Sequence, residues 1–154
     1  MADGNLIGIY IAQRKGHDLH AVTQVEAVAG HGLVGDRYFL KEGTFSTEEG
    51  PDREVTLIES EALEGLAREY EITLQPHQAR RNLLTRGVAL NHLVGKTFSV
   101  GPVVLRGIRL CEPCGHLEKL TCKGVAKGLI HRGGLRAQIV TGGKLELGLA
   151  VAVV

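Results

Sequence analysis

The chain has 154 residues, 44% of them hydrophobic, enough to build one core of domain size. Eighteen Lys and Arg against seventeen Asp and Glu leave a formal charge of +1, which excludes a global field drawing the chain to nucleic acid or an anionic membrane. Aromatic residues make up 4%, with no Trp, which argues against a base-stacking platform, and the apolar stretches fall far short of the roughly 20 residues that span a bilayer.

In chain order, Leu6 to Ala12 is a β-leaning run, and Val22 to Val28 alternates without a cleanly apolar face. The loop Gly30-His31-Gly32-Leu33-Val34-Gly35-Asp36-Arg37 follows, with positive φ expected at Gly32 or Gly35. The segment from there to Asp52 carries too little hydrophobicity for core, so it is expected to be exposed. Arg53 to Ile58 resumes a strand pattern. Ser60 then offers an N-cap oxygen to a helix in which Ala62, Leu63, Leu66, Ala67 and Tyr70 recur at helical spacing.

Ile72 to Leu74 and Arg81 to Thr85 read as short strands, and Val88 to Val94 as one or two helical turns closed by Gly95. Lys96 to Val100 and Val103 to Leu110 flank Gly101-Pro102 as a hairpin. The second strand delivers the chain to Cys111, after which Pro113 is suited to open a helix through Leu117 and Leu120. A further short helix is expected near Val125 to Ile130. Leu135 to Thr141 and Leu145 to Val153 are separated by Gly142-Gly143, which predicts a second hairpin. Strands outnumber helices and mostly follow one another without long crossovers, so the expectation is a mainly β, α+β chain: one domain over residues 1–154, closed as a β-barrel with small helices.

The thiols carry the clearest chemistry. Cys114 follows a proline that can open a helix, and the N–H groups and dipole of a helix N-terminus favour thiolate, the form that attacks electrophiles and ligates soft metals. Cys111, Cys114, His116 and Cys122 could in principle wrap one tetrahedral zinc ion. The Cys-x-x-Cys pair could equally be a redox dithiol, but that motif belongs with a βαβ pattern, which this sequence is read as lacking. Cys111 and Cys122 also suit small buried hydrophobes. An odd cysteine count and the lack of a charged-then-apolar leader point to a reducing compartment, with the cytoplasm as the default.

Cationic residues recur in three places. Arg37 closes the glycine loop, whose N–H groups with that side chain would line an anion-binding mouth. Arg80 and Arg81, followed by Asn82, could fork onto phosphate or carboxylate, although such a pair is more often a solvated edge. On an alternating strand Arg81 and Asn82 face opposite ways, so only one of them would share a site with Arg80. His131-Arg132-Gly133-Gly134 has the same ambiguity, with Arg132 or Arg136 supplying charge. His17, His20, His77 and His92 read as ordinary surface residues.

In their order along the chain these motifs resemble a MOSC domain, the module named for the C-terminal part of molybdenum cofactor sulfurases. The resemblance runs from about Leu6 to the C-terminus. It passes through Gly32 to Arg37, Arg53 to Glu59, Arg80 to Leu83, Glu112-Pro113-Cys114, His131 to Ala137 and Gly142-Gly143. It implies a β-barrel with small helices and one functional cysteine, which maps to Cys114 as the catalytic residue and metal ligand, carrying sulfur or ligating molybdenum of the pterin cofactor. It further implies a pterin site drawn from Gly35, Asp36, Arg37, Arg80, Arg81, Asn82 and Arg132. Some members of the family reduce N-hydroxylated bases. The chain is too short to hold the pyridoxal-phosphate domain of the sulfurases, so it resembles a stand-alone minimal member. Near the end Leu149 follows Gly148 where the family often has Gly-Asp.

Three readings follow: a molybdenum-cofactor protein, oxidoreductase or sulfur-transfer in kind; a carrier delivering sulfur or cofactor to a partner without turnover; and a structural zinc module. The first two imply a cysteine desulfurase or a redox protein as partner, and none implies nucleic acid or a membrane.

Overall fold

The computed structural model describes residues 4–13, 18–40, 50–51, 53–113, 115–121 and 123–154. Its strands are β1 (Gly4–Ile11), β2 (His20–Val22), β3 (Gln24–Val28), β4 (Gly32–Leu33), β5 (Val55–Glu59), β6 (Leu83–Arg86), β7 (Thr97–Val100), β8 (Val103–Leu110), β9 (Leu135–Thr141), β10 (Gly143–Glu146) and β11 (Ala150–Val153). The α-helices are α1 (Arg37–Leu40), α2 (Ser60–Tyr70), α3 (Gly115–Leu120) and α4 (Val125–Gly128), with 3-10 turns at Pro76–Ala79 and Leu90–Leu93.

The large sheet runs β11-β7-β8-β9-β5-β6-β1 and closes where Gly4 and Asn5 of β1 pair with Val151 and Ala150 of β11. Closure leaves no free edge in that seven-stranded ring. The far end of β1 carries β2, and β10, β3 and β4 form a separate small sheet. All ring pairings are antiparallel except β5 with β6, which the helix α2 connects as a βαβ unit. The sequence reads as lacking such a unit, because Ile72 to Leu74 reads as a further strand between α2 and β6, and the structure has none there.

Two cores follow from that burial. Leu57, Leu83, Leu105, Leu135, Ile139, Phe98 and Leu6 fill the barrel interior. Ile58 and Leu84, pointing the other way on β5 and β6, pack under α2 through Ala62, Leu63 and Leu66 and meet Leu117, Val125 and Leu129 from the later helices. The outer face of the barrel is thus itself half core. One step along β5 from Ile58 lies Thr56, also buried, and there the covering layer turns polar.

Several local expectations are corrected. The helix α2 starts at Ser60 itself, with Glu59 as a cap residue that makes no side-chain cap bond; the Ser60 hydroxyl donates to Glu61 instead. Ile72 to Leu74 forms no strand, and Leu74 joins the outer core from a loop. The stretch after Arg37 is not all exposed: α1 lies in it, with Arg37 and Tyr38 buried, while 41–49 and Asp52 are outside the described residues. The Gly142-Gly143 pair makes no hairpin. Beyond it β10 pairs with β3, and β11 with β7 and β1. Gly142 is needed for close approach, because a Cβ there would sit 2.6 Å from the Ala27 carbonyl oxygen. The hairpin expected around Gly101-Pro102 forms, between Thr97–Val100 and Val103–Leu110.

Where β5 begins, the Glu54 side chain extends its ladder: Oε1 accepts the Ile139 N–H at 2.9 Å. Burial pushes the Glu54 carboxyl above its ordinary value, against hydrogen bonds from Ile139 and Gly30 and the nearby charge of His31. The folded state therefore binds this proton more tightly than the unfolded state does, and stability falls as pH rises from the unfolded value through the raised folded one. Glu54→Gln is expected to flatten that part of the stability–pH curve. Urea midpoints across mildly acidic pH read it, and an unchanged slope would refute the assignment.

Candidate functional site

The polar layer on the outer face is built from the elements that cover Thr56. Asn82, fully buried just before β6, accepts the Thr56 N–H at 3.0 Å and the Thr56 hydroxyl at 3.2 Å through Oδ1, and donates from Nδ2 to the Tyr10 carbonyl. It ties β5, β6 and β1 together. Arg136 flanks Thr56 in register on β9, and its Nη1 donates to the Tyr38 hydroxyl at 3.3 Å. Tyr38 thereby fixes α1 over the barrel wall.

The glycine loop turns through positive φ at both Gly32 and Gly35 and delivers Asp36 to this layer. Asp36 is fully buried: Oδ1 accepts the Ala12 N–H and Arg37 Nη1, each at 3.1 Å, and Oδ2 accepts the Tyr38 N–H. Arg37 in turn donates Nη2 to the Arg80 carbonyl at 3.2 Å and lies 4.8 Å over the Tyr38 ring. The loop's own N–H groups at His31, Val34 and Asp36 go to Val28, Glu26 and Leu33 carbonyls. Those three amides are spent within the fold, and Arg37 is the charge the loop contributes.

Arg80 and Arg81 are not a solvated edge; both are buried. They precede the first residue of β6, so strand alternation does not orient them, and Arg80 takes a left-handed backbone at φ 59°. The Arg80 side chain lines a cavity of about 100 Å³ with Asp18, His77 and Gln78. Burial, and then the like charge of Arg37, hold its guanidinium below the ordinary arginine value, while Asp18, Tyr38 and Asp36 act in the opposite sense. Arg81 points elsewhere. Its Nε donates to the Gly133 carbonyl at 2.8 Å, Nη2 to that of Cys111 at 3.2 Å and Nη1 to that of Ala79 at 3.4 Å.

That three-carbonyl clamp joins the end of β8 to the His131-Arg132-Gly133-Gly134 loop. The Cys111 N–H returns a bond to the Gly134 carbonyl at 2.7 Å, and a Cβ on Gly133 would meet the Pro113 ring at 2.8 Å. Cys111 is a free, buried thiol. Cys114 and Cys122 lie outside the described residues, and among the described residues no group of three His, Cys, Asp or Glu is arranged to hold a metal ion.

Arg132 is turned away from Arg37 and Arg80 in its bonds. Its Nε donates to Gly128 and its two Nη atoms to the Glu69 carboxylate at 3.2 and 3.3 Å. The hydrogen bond and charge of Arg132 hold the Glu69 carboxyl below its ordinary value. Structure thus gathers Asp36, Arg37, Arg80 and Asn82 on one face, gives Arg81 a clamping task and sends Arg132 to α2. Sequence reading missed Tyr38 and Asp18, and His77, read as a surface residue, is exposed and also lines the cavity at Arg80. Tyr38 carried a faint signal, the one aromatic adjoining Asp36-Arg37; Asp18 carried none.

A closed seven-stranded β-barrel with a few short helices defines the class of fold. The MOSC domain model matches residues 44–152, and the chain belongs to the MOSC domain family. Among solved structures it is similar to YuaD from Bacillus subtilis, with a TM-score of 0.84 at 15% identity over 99% of this chain and 96% of that one. It is also similar to YiiM from Geobacillus stearothermophilus, at 0.74 and 15% over 98% and 75%, and to YiiM from Escherichia coli, at 0.69 and 20% over 97% and 69%. At these identities the likeness is one of fold. A search of curated proteins gives no match. Among the described residues no helix is long and apolar enough to cross a membrane.

Proposed function

We propose that this chain binds the molybdenum cofactor, with the Cys114 thiolate ligating molybdenum or carrying a transferable sulfur. Family membership supports the cofactor class, and one observation supports its place on the fold: Arg80, whose carbonyl accepts Arg37 Nη2 at 3.2 Å, lines a cavity with Asp18, His77 and Gln78. The cavity that Arg80 lines, about 100 Å³, suits a phosphate-sized end group rather than a whole pterin, and Asp18 at its wall restrains its net charge. In this reading Arg80 meets the anionic end. Arg37 sets the field, Asp36 and Asn82 hold the layer rigid, and Arg81 holds the backbone at Cys111 beside Gly133.

When bound, the group supplies two-electron redox chemistry, and reduction of N-hydroxylated bases with electrons from a partner protein is the reaction class that follows. A soft thiolate suits the metal, and fixed guanidinium groups suit the phosphate.

The test is co-expression with cofactor biosynthesis, followed by molybdenum and pterin analysis of wild type, Cys114→Ser and Arg80→Ala. Wild type is expected to retain both, Cys114→Ser to lose most of its molybdenum, and Arg80→Ala to lose pterin. Equal molybdenum in wild type and Cys114→Ser, or none in either, would rule out ligation by Cys114.

A further inference from the structure

The helices outside the barrel leave a groove between the last turn of α2 and α4. It holds about 440 Å³ and is lined by Glu69, Tyr70, Lys127, Gly128, Ile130 and Arg132. Its floor is backbone: a Cβ on Gly128 would collide with Leu66 and meet the Tyr70 ring at 3.4 Å, so only glycine lets α4 come this close to α2. Arg132 crosses α2 where Gly65 leaves room and joins the two walls, donating to the Gly128 carbonyl and to the Glu69 carboxylate. The groove is therefore preformed. Beside that floor stand two apolar side chains that the fold does not bury, Tyr70 at 40% and Ile130 at 54% exposure.

The charges around the groove are unevenly spent. Glu69 is held by Arg132 and, at 3.5 Å, by Arg68, while Glu118 Oε1 accepts the Gly124 and Ala126 N–H groups at 3.0 and 3.2 Å. Both acids thus serve the fold. Lys127 in the groove, Lys123 just before α4 and Lys119 on α3 are exposed, and among the described residues they form no ion pair. The helix α3 belongs to the same layer, since its Leu117 shares the outer core with Val125 of α4. Against these three cations stands Glu71, which follows Tyr70.

An apolar pair in a cationic surround selects its occupant by charge. A second copy of this chain, meeting the groove across a two-fold axis, would set the same lysines against each other. A membrane takes up apolar side chains that protrude, whereas a groove receives one. We infer that the groove between α2 and α4 docks an acidic segment of a partner protein, which places an apolar side chain against Tyr70 and Ile130 and its carboxylates on Lys127 and Lys123. The inference stands apart from the cofactor reading.

The probe is a fluorescein-labelled, glutamate-rich peptide with a single central leucine, followed by anisotropy. Wild type is expected to bind it, more weakly as salt rises. Lys127→Glu is expected to weaken binding about tenfold and Ile130→Ser about fivefold, the scale of one reversed charge and one lost apolar contact. Both side chains are exposed, so the thermal midpoints should stay close to wild type. A peptide with serine in place of leucine should bind several-fold more weakly. Binding that is absent, equal for the two peptides, or unchanged in Lys127→Glu overturns the inference. So does a dimer in sedimentation that Ile130→Ser dissociates, which gives the groove to a second copy. Pelleting with phosphatidylserine vesicles that Lys127→Glu abolishes overturns it in favour of a membrane.

Discussion

Arg81→Ala is expected to lower unfolding free energy by about 3–5 kcal/mol, because hydrogen bonds from a charged donor are worth roughly 1.5–3 kcal/mol each and buried carbonyls left without one are costly. The guanidinium serves three carbonyls, of Ala79, Cys111 and Gly133, from a position only 8% exposed. Two of those partners are 30 and 52 residues away in the chain. The loss should therefore fall on the junction of β8 with the His131–Gly134 loop, seen as faster exchange of the Cys111 amide hydrogen, which is bonded to Gly134. Lysine should rescue little, since one ammonium cannot reproduce the planar fork that reaches separated acceptors. Urea titration at constant m-value reads the effect. A cost below about 1 kcal/mol would mean that the three bonds are replaced by water and that the clamp is incidental.

Arg81 also marks where sequence reading ends. Two adjacent arginines before an Asn look alike whether they face water or buried carbonyls, because their acceptors are backbone atoms that the tertiary fold supplies. By contrast the β7–β8 hairpin was legible from the two runs flanking its Gly-Pro turn, and barrel closure from the succession of strands. The Gly142-Gly143 pair misled for a physical reason. Glycine is required both where a turn needs positive φ and where backbone passes close to backbone, and only the Ala27 carbonyl beside Gly142 tells the two apart. The βαβ unit at β5, α2 and β6 was hidden because Ile72 to Leu74 reads as a strand between α2 and β6, whereas Leu74 is buried from a loop. Tyr38 escaped because its burial comes from polar neighbours, Arg37 and Arg136, rather than from an apolar run.

Asp36→Ala is expected to cost about 3–5 kcal/mol, the range for removing one partner of a buried ion pair. Asp36 is fully buried, and besides Arg37 it accepts the N–H groups of Ala12 and Tyr38, so its loss strands one cation and two amides together. Arg37 keeps its bond to the Arg80 carbonyl and its stacking on Tyr38, but its charge then faces Arg80 without the carboxylate between the networks. Asp36→Asn should cost less, because one amide oxygen still accepts while the NH2 group opposes a neighbouring N–H. The decisive measurement is a double-mutant cycle with Arg37→Met, which keeps much of the side chain's volume without its charge. Combined with Asp36→Ala it should cost clearly less than the sum of the two single changes, since no unpaired cation remains. Strict additivity would mean that Asp36 acts only as an amide acceptor. Coupling would place the pair at the base of the cationic layer, where the carboxylate allows Arg37 to be buried close to Arg80, which lines a cavity with Asp18, His77 and Gln78.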